Sequence, residues 1–150
     1  MTDIQFYHLT STPLERALPK LLEKAAAGKF RTLVLAASEE KAEWLNNILW
    51  TYDPDSFLPH GTSKDGPAAA HPIFITAGDE QHDYVPDLLV VTDGSELNFD
   101  ANLKRVLDIF DGSDEESVAR ARARWKSYQG SGHAVTYIKQ TASGSWEKQA

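Results

Sequence analysis

Arg31-Thr32-Leu33-Val34-Leu35-Ala36 is a nearly continuous apolar run. A strand with one face in water alternates polar and apolar residues. A strand apolar throughout is covered on both faces, as in parallel sheets flanked by helices. Leu88-Leu89-Val90-Val91-Thr92 repeats the pattern, so two central strands are predicted. Working outward, Ile4–Leu9, Ile73–Thr76, Arg105–Phe110 and Ala134–Ile138 read as further strands. Between them lie helical patterns: Leu14, Leu18, Leu21, Leu22 and Ala25; then Ala42, Leu45, Ile48 and Leu49; then Val118, Ala121, Trp125 and Tyr128.

Strands and helices alternate at the spacing of βαβ units, which predicts an α/β fold. The expectation is a three-layer α/β/α arrangement with a mostly parallel, Rossmann-like sheet. Thr12, Pro13 and Glu15 read as a capping box with a proline start, and Gly28 as the helix stop. Pro19 falls inside that helix and predicts a kink. Ser38 and Ser113 read as N-caps, the latter of a long helix to about Tyr128. Thr62–Ala70 and Gly78–Pro86 read as connections, and Leu97–Lys104 as a short helix. At 150 residues the chain suits one domain. A polar tail from Thr141 is expected to fray, with Trp146 as an anchor.

Composition excludes several functions. There is no cysteine, hence no disulfide and no thiolate metal site. No apolar run has the length of a membrane span, and Met1–Gln5 lacks a signal peptide's basic start, so the cytoplasm is expected. A net charge of -7 argues against broad phosphate-backbone binding. The first strand-to-helix turn, Thr10-Ser11-Thr12-Pro13, has no glycine and no dinucleotide fingerprint. Gly61–Pro67 lacks the Walker order, and Gly94-Ser95 is not a nucleophile elbow. The five histidines have no helical metal spacing; His82, Asp83 and Asp79 read as a solvated acidic loop, and His8 as a packed residue. No cofactor or metal is expected.

Two stretches remain. Leu49–Gly61 mixes Trp50, Tyr52 and Phe57 with prolines, aspartates and a glycine. Turn formers belong in solvated connections and large aromatics in cores or interfaces. It is therefore a lid over the core or a contact surface. The second stretch is the last long helix. Six cations and one acid lie between Ser117 and Ala150 on an otherwise acidic chain. Arg120/Arg124 and Arg122/Lys126 are i, i+4 pairs, and no acid after Glu116 neutralises them locally. Arg grips a carboxylate bidentately and Lys adds a movable charge. Beside Trp125 they would suit a chain-terminal carboxylate; equally, they would suit a solvated outer face.

Taken together, Phe6-Tyr7-His8-Leu9, Leu49-Trp50 with Ser56-Phe57-Leu58-Pro59-His60, and Arg122-Ala123-Arg124-Trp125-Lys126-Ser127-Tyr128 resemble the chi subunit family of bacterial DNA polymerase III. The resemblance implies a noncatalytic clamp-loader accessory with two partners. One is the psi subunit, met through Trp50, Phe57, Pro59 and His60. The other is the acidic C-terminal tail of the single-stranded DNA-binding protein, met through Arg122, Lys126 and Trp125. This sequence departs from the family where a further basic residue of that site is expected: the position falls near Val118, and Arg120 is the candidate substitute, with a changed tail affinity. Neither a membrane nor sequence-specific nucleic acid is implied. The competing class is a nucleotide-binding or hydrolytic enzyme of the same architecture.

Overall fold

The computed structural model describes residues 3–53, 58–66, 70–77, 84, 86–92 and 103–149. The short helix expected over Leu97–Lys104 and the acidic loop around His82 fall largely or wholly outside them.

The elements in order are β1 (Asp3–Leu9), α1 (Leu14–Ala27), β2 (Thr32–Ala36), α2 (Glu39–Thr51), β3 (Gly61–Thr62), a 3-10 turn (Ser63–Asp65), β4 (Ile73–Ala77), β5 (Leu88–Val91), β6 (Arg105–Asp111), α3 (Glu115–Gly130), β7 (Ala134–Gln140) and β8 (Trp146–Lys148). They build an α/β fold on one sheet of order β3-β4-β2-β5-β6-β1-β7-β8. All pairings are parallel except β7 with the last strand, β8.

The two apolar runs are β2 and β5, wholly buried neighbours at the centre. Side chains alternate across a strand, and here the alternation separates two cores. Val34, Ala36, Ile73, Ile75, Val90 and Ile109 pack with α1 and α2. Leu33, Leu35, Phe74, Val91, Phe6 and Phe110 pack with Ala121, Val118 and Trp125 of α3. Helices therefore cover both faces, as the apolar runs require.

Helix ends depart from expectation in three places. Pro13, not Thr12, is the N-cap of α1 and makes no side-chain cap. Thr12 is engaged elsewhere, its hydroxyl accepting from Gln140 at 2.6 Å. At the other end Gly28 has φ -81, and Lys29 takes the left-handed φ of 60. Gly28 instead gives space: a Cβ there would lie 3.0 Å from the Phe30 ring. Asp114, not Ser113, caps α3, because Ser113 bonds back to Asp111. Ser38 caps α2 as expected, accepting from Lys41 N at 3.1 Å. α1 continues through Pro19, whose ring is buried; one lost hydrogen bond is offset by the leucines around it.

The connection expected over Thr62–Ala70 begins on the second residue of β3 and holds the 3-10 turn, with a capping box between Thr62 and Asp65. The tail beyond Thr141 does not fray in the described residues: β8 pairs with β7, and Trp146 stands edge-on to Tyr7 at 5.0 Å.

Candidate protein-docking site

α3 is set by its first turn. Asp114 accepts from Glu116 N and from the Ser117 hydroxyl at 2.8 Å, which holds its carboxyl below the ordinary range. The inner stripe then meets the sheet. Trp125 stands edge-on to Phe6 and to Tyr137, both at 5.7 Å between centroids. Ala121 is buried, and Val118 and Tyr128 flank it.

The four cations of α3 have different fates. Arg124 is buried and grips Asp108 of β6, through Nε at 2.7 Å and Nη2 at 2.9 Å. This corrects the expectation that no acid neutralises the helix locally; Asp108 comes from the neighbouring strand. Burial pushes the Asp108 carboxyl up, and the two bonds from Arg124 oppose it. Arg120 is exposed and stands 3.6 Å from Glu116, one turn back. Arg122 and Lys126 are exposed and make no ion pair among the described residues. The helix thus spends one cation on the core and leaves two for solvent or a partner.

Arg122 has further neighbours. Its charge acts on His8 of β1 and on Tyr137 of β7. The Tyr137 hydroxyl and His8 Nδ1 share a short hydrogen bond. The His8 ring leans on Phe110, with 4.9 Å between centroids, and on the backbone of Gly112, where a Cβ would collide with it. His8 is therefore packed, as expected.

The aromatic segment is less concentrated. Trp50 is 54% exposed at the end of α2. His60 is buried beneath it, the rings 4.6 Å apart. Its two nitrogens face the carbonyls of Leu58 (2.6 Å) and Asn46 (3.3 Å). Pro59 is exposed, Leu58 buried, and Phe57 lies outside the described residues. Trp44 is exposed also, under the Lys41 ammonium at 4.6 Å.

A cavity of about 620 Å³ lies at the carboxyl ends of the strands, lined by the β1–α1 turn, Lys41, Asp111 and Arg120 among others. In open α/β sheets that crevice is the usual ligand site. Here its phosphate position is taken. Gln140 Oε1 accepts from three successive amides, Thr10, Ser11 and Thr12, at 3.2, 3.0 and 3.0 Å. The chain fills its own first-turn amide nest with a carboxamide.

Residues 1–136 match the family model described as DNA polymerase III chi subunit, HolC. The chain belongs to the chi subunit family. Members are noncatalytic accessory subunits of DNA polymerase III. One relative is the probable DNA polymerase III subunit chi of Rickettsia prowazekii (strain Madrid E). It is 30% identical over 111 residues, which cover 73% of this chain and 66% of that protein. The DNA polymerase III subunit chi of Escherichia coli (strain K12) is 28% identical over 110 residues, covering 73% and 74%. The chi family match takes in β1 and α3 but ends at Thr136, before Tyr137 and Gln140. Among the described residues no helix is long and apolar enough to cross a membrane.

Asp108, Gln140 and Tyr137 were missed in the sequence. Asp108 alone carried a signal: an acid on the α3 side of an apolar strand needs a cation from above.

Proposed function

We propose that this protein is a noncatalytic adaptor of the cytoplasmic replicase, with two faces. Arg122 and Lys126, beside Trp125, receive the acidic C-terminal tail of the single-stranded DNA-binding protein. Trp50, Phe57 and Pro59 meet the psi subunit, with His60 supporting Trp50 from beneath. Arg120 adds a weaker contribution to the first site, since Glu116 shares its charge.

The observation that carries this reading is the contrast on α3. Arg124 and the inner stripe anchor the helix, while Arg122 and Lys126 stay exposed without an internal acid among the described residues. A solvated face alone explains exposure; an acidic partner also accounts for cations concentrated on a chain of net charge -7. The test is a pull-down with the single-stranded DNA-binding protein, intact or lacking its last few residues. Capture of the intact form only, lost on Arg122→Ala, is the expected result. Equal capture of both forms removes the tail assignment. For the other face, Trp50→Ala and Phe57→Ala should impair the psi heterodimer and leave tail capture unchanged. The competing reading, a nucleotide-binding or hydrolytic enzyme, requires saturable thermal stabilisation by nucleotides or divalent metals; the Gln140-filled turn argues against it.

A further inference from the structure

We propose that the acidic-terminus site continues off α3 onto β7: Lys139 and the Tyr137 hydroxyl form its second wall, and His8 is the positioning residue that sets which way that hydroxyl donates. The inference rests on the tail-binding reading above and adds residues to the same site.

Parallel register places these groups together. His8 pairs with Lys139 and Phe6 with Tyr137 across β1 and β7. Phe6 faces the α3 core, so Tyr137, His8 and Lys139 share the α3 side of the sheet. Trp125 of α3 stands against Tyr137, and the Arg122 charge reaches both Tyr137 and His8. The surface between α3 and β7 thus gathers Arg122, Lys126 and Lys139, none of them ion-paired among the described residues, with Glu147 of β8 opposite Lys139 in the register. Asp111, at the end of β6, is the acid whose field reaches His8. Such a surface complements an extended acidic peptide with a free terminal carboxylate.

The His8–Tyr137 bond decides what the surface offers. A neutral imidazole with Nδ1 as acceptor engages the phenol's one O–H, which donates to it. The Tyr137 oxygen then presents only lone pairs there, which repel a carboxylate. A protonated His8 donates from Nδ1 instead. Tyr137 accepts that bond, and its own O–H is released to donate to a carboxylate. Burial, with Lys139 and Arg122 acting in the same direction, holds His8 below its ordinary pKa in the free protein; Asp111 pulls the other way. A bound carboxylate reverses the balance, so binding takes up a proton. Tyr137 remains a phenol throughout, its own pKa raised by burial.

The test is a titration of the full chain with a fluorescent synthetic peptide that carries aspartates and ends in an apolar residue with a free carboxylate. Affinity is compared near pH 8 and near pH 5.5, a window that spans the histidine range and stays above the aspartate range. The wild type should tighten about three- to tenfold toward the acid end, a half to one unit of linked pKa change. His8→Phe and Tyr137→Phe should each flatten that profile, and Tyr137→Phe should lose the gain in affinity at the acid end. Lys139→Ala should weaken binding at both values. A flat wild-type profile, or an unchanged slope in Tyr137→Phe, overturns the inference while leaving the Arg122 site standing. Absence of binding at either pH overturns the tail reading itself.

Discussion

Arg124 of α3 and Asp108 of β6 form a buried, two-point ion pair, with Nε to Oδ2 at 2.7 Å and Nη2 to Oδ1 at 2.9 Å. The fork closes on both carboxylate oxygens, so each oxygen of Asp108 has a charged donor. It pins α3 to the sheet, and Arg122 lies two residues before the anchor. A buried pair of this kind fixes position more than it adds net stability.

Arg124→Ala should cost about 3–5 kcal/mol, because it strands a buried carboxylate. Arg122→Ala should stay within about 0.5 kcal/mol, as an exposed substitution. Urea denaturation of both variants checks the contrast. A double replacement, Arg124→Met with Asp108→Leu, should recover most of the loss.

Gln140→Ala removes one acceptor from three backbone amides. Water from the adjoining cavity can satisfy part of the deficit, so a loss of about 1–3 kcal/mol is expected. Amide exchange at Thr10, Ser11 and Thr12 should accelerate selectively. Unchanged protection there would show that the carboxamide is not their partner.

Gly112→Ala should destabilise the protein, since the added methyl meets the His8 ring and the Leu9 carbonyl. A cost of about 1–3 kcal/mol fits an overpacked contact. His8→Ala in the same chain should recover part of it by thermal melting, the Leu9 part remaining.

His8 also gives the free protein a pH dependence. Its folded pKa is lowered, chiefly by burial. Its contribution to stability is therefore present above the unfolded histidine value and lost as pH falls through the folded one. Melting temperature should drop on acidification through the histidine range, and His8→Phe should drop less. Binding of an acidic peptide should oppose the loss.

Much of the fold was legible in local patterns. The apolar runs of β2 and β5 can only be covered on both faces, and β6 was recognisable despite Asp108. The misses are features fixed by distant partners. Thr12 looks like a cap, but Gln140, more than a hundred residues away, claims its hydroxyl. Ser113 is diverted by Asp111. β3 is two residues long and exists because β4 offers an edge. At the candidate site, helical spacing drew attention to α3 but could not sort its cations: Arg124 and Arg122 look alike until Asp108 is placed beneath one of them. The His8–Tyr137 contact spans 129 residues and leaves no periodic trace.

The central claim is that Arg122 and Lys126 receive another protein's acidic terminus. Isothermal titration of the wild type and Arg122→Ala with the C-terminal peptide of the single-stranded DNA-binding protein tests it directly. The account predicts saturable binding that weakens about tenfold or more in the variant, the loss of one charge-assisted contact. Equal affinity for both proteins, with the variant folded, would contradict it.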